Sequence, residues 1–423
     1  MDLGLAALVL FGSLFVLLVV GTPIGLAMAA AGALYLLGTL SSWAPVASIM
    51  FSALDKAPVL AIPFFILAAE ILSRGGAIGR LVAVIDAFIG HLPGGLAIVA
   101  IMATVIFSAM CGSSIATAAA IGVATLPELI RRGYQPRFSY GLIAMSGGLG
   151  ILIPPSIPLI IYGLVTGESI GKLFEAGFVP GLVFALLLGA YVVARTWNMR
   201  ETRRPRTTAA ERRSALVGAI DILMLPVIIL GSLYGGLFTP TEASAVAVVY
   251  AIAITWRRFS GLGDFMAVLA NASVTSAAIL FVLAGAAVFS YALTASGIPQ
   301  LVVDWIRALD LSAIEFLLVV NVVLLVLGMF LEVISAMLIT IPIFFPIIQH
   351  LGIDPIHFAI IMIVNMEIAA VTPPIGLNLF TLSAIARVPV GEVFRGTAPF
   401  IAIALVMLAL VTYVPGLSLV FAR

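Results

Sequence analysis

Cysteine is almost missing from this sequence. Cys111 stands alone in 423 residues, which rules out an internal disulfide framework. Charge is scarce too. Asp, Glu, Lys and Arg make up 9% of the chain, against roughly 25% in soluble domains. The net charge of +1 gives nucleic acid no basic footprint, so no such partner is expected. His91, His350 and His357 are the only histidines. Each lies at the end of an apolar segment, where an interfacial place is expected rather than metal ligation. No glycine loop runs into Lys-Ser or Lys-Thr, and no His-Glu-x-x-His occurs, so neither an ATP phosphate cradle nor a zinc-protease helix is present. The start, Met1-Asp2-Leu3, has no basic stretch and no small-residue cleavage site. The first apolar run therefore reads as a retained span rather than a signal peptide.

Apolar residues are what remains, at 63% of the chain. Stretches long enough to span a bilayer, ~20 residues each, fill most of the sequence. They are continuous rather than alternating, which excludes a β-barrel and predicts an all-α polytopic membrane protein.

The punctuation of these runs repeats. Adding 219 to Pro127, Pro136, Pro154 and Pro155 gives Pro346, Pro355, Pro373 and Pro374, and the same shift carries Gly133 onto Gly352. Gly21-Thr22-Pro23 splits the runs at about 3–20 and 22–39 as Phe238-Thr239-Pro240 splits those at about 219–236 and 241–256. The charges do not repeat. Arg131, Arg132 and Arg137 mark the first copy, whereas the matching stretch around His350, Asp354 and His357 has no Lys or Arg. Cytoplasmic loops collect Lys and Arg, so the two copies should face opposite sides. Inverted repeats with interrupted helices are a mark of secondary transporters. The chain then divides into a first repeat at 1–195, an Arg-rich linker at 196–217 and a second repeat at 218–423. Arg195, Arg200, Arg203, Arg204, Arg206, Arg212 and Arg213 crowd that linker, opposed by Glu201 and Glu211, which puts it in the cytoplasm as a surface or interfacial helix. Arg257, Arg258, Arg387 and Arg395 then also lie inside, and both termini lie outside.

Within each repeat two segments are interrupted. Residues 95–130 break at Cys111-Gly112-Ser113-Ser114 and are either two spans or a re-entrant hairpin with its tip inside the membrane, tolerated there only if buried or wet. Residues 138–165 break at Gly147-Gly148-Leu149-Gly150 and again at Ile153-Pro154-Pro155-Ser156, where adjacent prolines leave carbonyls unpaired. In the second repeat a hairpin at about 318–348 would have Glu332 at its tip, since Glu332 aligns with Ser113. The matching broken helix, 358–382, is interrupted at Thr372-Pro373-Pro374.

Three constellations could carry chemistry. Gly112, Ser113 and Ser114 with Thr117 offer hydroxyl and carbonyl oxygens of the kind hard cations take, or small surfaces for close helix packing. Gly147, Gly148, Gly150, Pro154, Pro155 and Ser156 offer unwound backbone, or a plain kink. Asn365, Glu367, Thr372, Pro373, Pro374, Gly376 and Asn378 mirror them. Asp86, Glu242, Glu332 and Glu367 are acids in apolar surroundings, functional candidates by default. Glu242, after Thr239-Pro240-Thr241, is better read as a helix cap. For Glu332 and Glu367 a structural hydrogen bond and a coupling role both stay open. Cys111 is read as a packing residue. Arg74, Arg80 and Arg307 sit at segment ends, so none is a carboxylate clamp at depth.

Taken together, Cys111-Gly112-Ser113-Ser114, Gly147 to Ser156, Phe238-Thr239-Pro240-Thr241-Glu242-Ala243 and Thr372-Pro373-Pro374-Ile375-Gly376-Leu377-Asn378 resemble the large membrane subunit of tripartite ATP-independent periplasmic (TRAP) transporters, over essentially the whole chain. The resemblance implies an ion-transporter-like fold in the bacterial inner membrane, with two re-entrant hairpins and two discontinuous helices. These form a transport domain that moves as an elevator against a scaffold. It implies sodium-driven uptake of a small organic carboxylate (a four-carbon dicarboxylate, sialic acid or 2-oxo acid) with no organic cofactor and no enzymatic activity. It also implies two partners, a small four-helix membrane subunit and a soluble periplasmic binding protein. Carried over, one sodium site would involve Gly112, Ser113, Ser114, Gly147, Gly150, Ile153 and Pro155, the other Glu332, Ser335, Thr372, Pro374 and Gly376. Substrate would meet Ser113, Ser114, Ser156, Thr372 and Asn378. The sequence departs from the family at Cys111, usually serine, and at Ala369, usually glycine, which weakens any expectation of close backbone approach there. The competing classes are an intramembrane enzyme and the permease of an ATP-driven importer. ATP-dependent uptake indifferent to sodium would single out the latter.

Overall fold

The computed structural model describes residues 2–40, 43–199 and 205–422, all of it helix and connecting turn. Arg200, Glu201, Arg203 and Arg204 of the linker lie outside the described residues. Among those described, eight helices are long and apolar enough to cross a membrane.

The prolines that repeat in sequence take repeated places. Pro127 and Pro346 lie inside the second arms of two helical hairpins, Gly95–Cys111 with Ser114–Arg131, and Ala313–Phe330 with Val333–His350. Pro136 and Pro355 stand at the first turn of the next helices, where the missing N–H costs nothing. Pro154-Pro155 and Pro373-Pro374 occupy the interruptions, each with one cis bond. The element order therefore recurs. A short helix (Ala77–Ile89; Ile298–Ala308) leads to a hairpin, then to a broken helix. The broken helices are Pro136–Gly147, Leu149–Leu152 and Ile157–Thr166 in the first half, and Pro355–Ala370 and Leu377–Ala386 in the second. A long helix closes each half (Ile170–Thr196; Val390–Tyr413).

The halves interlock. Leu377–Ala386 packs on the first hairpin's second arm, and Ile157–Thr166 packs on the second's. Val390–Tyr413 crosses Pro136–Gly147, and Ile170–Thr196 crosses Pro355–Ala370. A second group of helices is built around the 35-residue Leu262–Ser296, which packs on Ile24–Leu40, Ala44–Leu54 and Ala61–Arg74. Between apolar helices in lipid, contact rather than water exclusion drives association, so small residues sit at the crossings. A Cβ on Gly141 would collide with the Gly396 carbonyl, and one on Gly285 with that of Gly25.

Several expectations need correction. Asp86 is buried but paired. In the last turn of Ala77–Ile89 it forms a two-pronged pair with Arg132, 3.0 Å on each prong, while Arg132 also reaches Glu128 at 2.7 Å. Asp86→Ala should lower stability by roughly 1–2 kcal/mol, because Arg132 keeps its second partner and is part-exposed; an unchanged melting temperature in detergent would contradict this. His357 is not interfacial but buried, one turn past the Asp354 cap, with its ring 3.3 Å from Ser418 Oγ. Two expectations hold. Glu242 closes a capping box with Thr239. The linker contains an exposed helix, Ala209–Val217, lying on Ala77–Ile89.

Candidate functional site

The two hairpin tips and the two helix interruptions come together. At the first tip Gly112 has φ 66°, a turn that suits glycine, and Ser113 caps the next helix by accepting from Ala116 N at 3.4 Å. The tip is tied to the interruption by Ile157 N donating to Gly112 O at 3.3 Å. The second half repeats the tie, Ile375 N to Met329 O at 3.2 Å. There Glu332 takes the capping place of Ser113, its carboxylate accepting from Ile334 N at 2.9 Å and Ser335 N at 3.3 Å.

The first broken helix is interrupted twice, as expected: at Gly148, a turn whose backbone keeps helical angles, and at Ile153–Ser156, where the chain unwinds. Gly147 and Gly150 stay helical and form a landing surface. A Cβ on Gly147 would lie 2.5 Å from Ala118 Cβ, and one on Gly150 would lie 2.7 Å from both Ser113 O and Thr117 Oγ1. A Cβ on Gly112 would lie 2.8 Å from Pro155 O. Ser113 O and Thr117 Oγ1 thus meet the broken helix at Gly150, and Pro155 O meets the tip at Gly112. The Thr117 hydroxyl is buried, with the Cys111 thiol as its hydrogen-bonding neighbour, a weak one. Neutral hydroxyl and carbonyl oxygens are of the kind hard cations take. At the second site Thr372 gives its hydroxyl to Ile368 O at 2.6 Å, and Gly376, φ 58°, brings Thr372 O close. Ala369 does not loosen the packing, because Gly328 opposite supplies the room: a Cβ there would sit 2.6 Å from Ala369 Cβ.

A cavity of about 690 Å³ opens between the tips and the second helix group. Gly112, Ser113, Ser114 and Glu332 line it; Ser156, Thr372 and Asn378 do not. Ser156 is buried and gives its hydroxyl to Ile151 O at 2.5 Å, while Asn378 is buried and donates to Ala144 O at 3.3 Å. Across from the tips stand Glu70, Ser73 and Thr275, which sequence reasoning passed over. Glu70 carried a signal, a carboxylate within an apolar run. Glu70 and Glu332 are the cavity's acids, and no Lys, Arg or His is among its described lining residues.

A family model described as tripartite ATP-independent periplasmic transporter, DctM component, matches residues 11–417. Over 374 residues the chain is 45% identical to a C4-dicarboxylate TRAP transporter large permease protein of Pseudomonas aeruginosa, covering 88% of this chain and 87% of that one. It is 40% identical over 422 residues to an isethionate TRAP transporter permease protein of Oleidesulfovibrio alaskensis, covering 98% of this chain and 66% of that one. It is 35% identical over 420 residues to an ectoine/5-hydroxyectoine TRAP transporter large permease protein of Ruegeria pomeroyi, covering 98% of both. Among solved structures it is similar in fold to the YdaH transporter of Alcanivorax borkumensis, with TM-score 0.67, 14% identity and 90% of each chain covered.

Proposed function

Because the chain belongs to the DctM component family of tripartite ATP-independent periplasmic transporters, we propose that it is the large permease of a sodium-driven importer for a small organic carboxylate. The observation that carries this reading is the charge of the cavity. Two acids and no base face a solute that is itself anionic, so the solute can enter only with cations that offset the charge. Sodium supplies that positive charge when bound. Ser113 O, Thr117 Oγ1 and Pro155 O would hold one ion and the Glu332 to Ser335 tip with Thr372 and Gly376 a second, while Ser113 and Ser114 face the solute.

The two halves are inserted in opposite senses, as the arginines at 131–137 and the lack of Lys and Arg at 349–357 support. The hairpins and broken helices move as an elevator against the Leu262–Ser296 group, and the cavity lies along that boundary. Its lining runs from both tips to Ser73 and Gly79, next in sequence to Arg74 and Arg80, which supports a cavity that opens on the side of the Arg-rich linker. On the opposite side Lys56 Nζ donates to Leu164 O at 3.3 Å, and both residues line a second, smaller cavity of about 450 Å³. A small four-helix subunit covers exposed apolar scaffold residues such as Phe15, Val19 and Val227, and a soluble periplasmic protein delivers the solute.

The test is uptake of labelled succinate or ectoine into liposomes holding this chain, its small subunit and its binding protein. Uptake is expected with an inward sodium gradient and not with choline. Thr117→Val should raise the sodium concentration for half-maximal uptake roughly tenfold, the loss of about 1.4 kcal/mol of ion contact. Equal uptake in choline, or uptake that needs ATP, would remove the reading.

A further inference from the structure

Glu367 belongs to neither tip. It lies in Pro355–Ala370, five residues before Thr372, and is 1% exposed. Neither of its carboxylate oxygens has a hydrogen-bond partner among the described residues. Facing it is Gly148, where a Cβ would come within 3.3 Å of both Glu367 Cβ and Cγ. The two positions are repeat mates, since 148 plus 219 is 367. Each stands five residues ahead of its interruption, Gly148 before Ile153 and Glu367 before Thr372, and Leu149–Leu152 packs directly on Pro355–Ala370. Glu367 therefore occupies the crossing of the two broken helices, and a glycine opposite makes the room.

No charged side chain answers it. The helices Leu149–Leu152, Leu377–Ala386 and Pro415–Leu419, which pack on its own helix, carry no titratable residue. The other packing neighbours carry Tyr162; Lys172, Glu175, Tyr191 and Arg195; Glu315; His350; and Glu392, Arg395 and Tyr413. None of these hydrogen-bonds or ion-pairs with Glu367, and neither does His357 of its own helix. A structural hydrogen bond thus does not explain the residue. Burying a bare carboxylate is so costly that such groups are paired or neutralised.

We propose that Glu367 is a cation site at the helix crossing, loaded with a monovalent cation, a proton or a sodium ion, as part of the transport cycle. This rests on the reading as a cation-driven importer and adds a site to the two at the tips. The carboxyl belongs to one broken helix and touches the other, so its loading bears on both halves at once.

The experiment is thermal unfolding of the purified full chain in detergent, wild type against Glu367→Gln, in choline chloride and in sodium chloride. A carboxyl that stays loaded when buried, and is ionised when unfolded, lowers the folding equilibrium up to about tenfold per pH unit, from the unfolded Glu pKa of about 4.3 until the folded group empties. In choline, the wild type is therefore expected to lose stability relative to the Gln variant as the pH rises above about 5. Sodium added at the upper pH restores the wild type if sodium is the occupant and leaves it unrestored if the proton is. Parallel pH profiles for the two proteins would overturn the proposal. Should the Gln variant not fold, Glu367→Asp must keep a pH-dependent melt with a displaced midpoint, and a profile superimposable on the wild type's overturns it. Sodium-independent uptake in liposomes would remove the sodium reading above while leaving the proton outcome here standing.

Discussion

Gly150→Val should cut uptake by roughly a hundredfold if the proposed sodium site lies at the first tip, the effect of about 2.8 kcal/mol there. The cause is local. The first carbon of any side chain at Gly150 would lie 2.7 Å from Ser113 O and from Thr117 Oγ1, closer than real Cβ contacts come. One neighbour is main chain and cannot rotate away, so the hairpin tip must lift. Overpacking of this kind costs ~1–3 kcal/mol, and lifting the tip separates Ser113 O and Thr117 from Pro155 O. Gly189, in Ile170–Thr196, has open space where a Cβ would go, so Gly189→Val serves as the matched control with unchanged uptake. Wild-type sodium half-saturation in Gly150→Val would show that tip and interruption do not meet as described.

Gly396→Leu should abolish folded protein altogether. Helix propensity argues the other way, since leucine improves on glycine by ~0.8 kcal/mol within a helix. Packing overrides it. A Cβ at Gly396 would fall on the Arg137 carbonyl, and the reciprocal position, Gly141, on the Gly396 carbonyl. Two backbones touch there, and a leucine forces the helices apart along a long contact, taking with it the pair between Arg137 and Glu392. Gly391, on the same helix, has nothing within 4 Å, so Gly391→Leu should behave as wild type. The measurement is the yield of a monodisperse species in detergent. Equal yields from the two variants would contradict the crossing.

How far the sequence revealed this can be followed residue by residue. Cys111 and Ser114 bound the first tip as expected, because a glycine followed by a serine cap ends one helix and starts another by local rules alone. The proline pairs located both interruptions for the same reason. Gly147 to Gly150 hold a break at Gly148, but its backbone stays near helical and the glycines on either side serve close packing. A glycine run marks either loose backbone or close approach, and only the partner, here Ala118, Thr117 and Glu367, decides between them. Ala369 misled in the converse way, since the glycine that permits contact sits on the other helix, at Gly328. His357 and Asp86 depended on which long-range neighbour reached them, Ser418 and Arg132, separations of 61 and 46 residues that no local pattern encodes. Of the five residues expected at the solute, Ser113 and Ser114 line the cavity, whereas Ser156 and Asn378 are buried with their hydrogen bonds made to helix carbonyls.

Both tips are fastened to their interruptions through main-chain atoms, Ile157 N to Gly112 O and Ile375 N to Met329 O. Neither partner in either bond is a side chain, so replacements act on these joints through backbone shape and packing rather than by deleting a bonding group. The walls beside them, Ser114, Ala116, Ala119 and Val123 among others, supply no atom to either joint. A change in a wall side chain can therefore alter what the cavity accepts without removing a fastening.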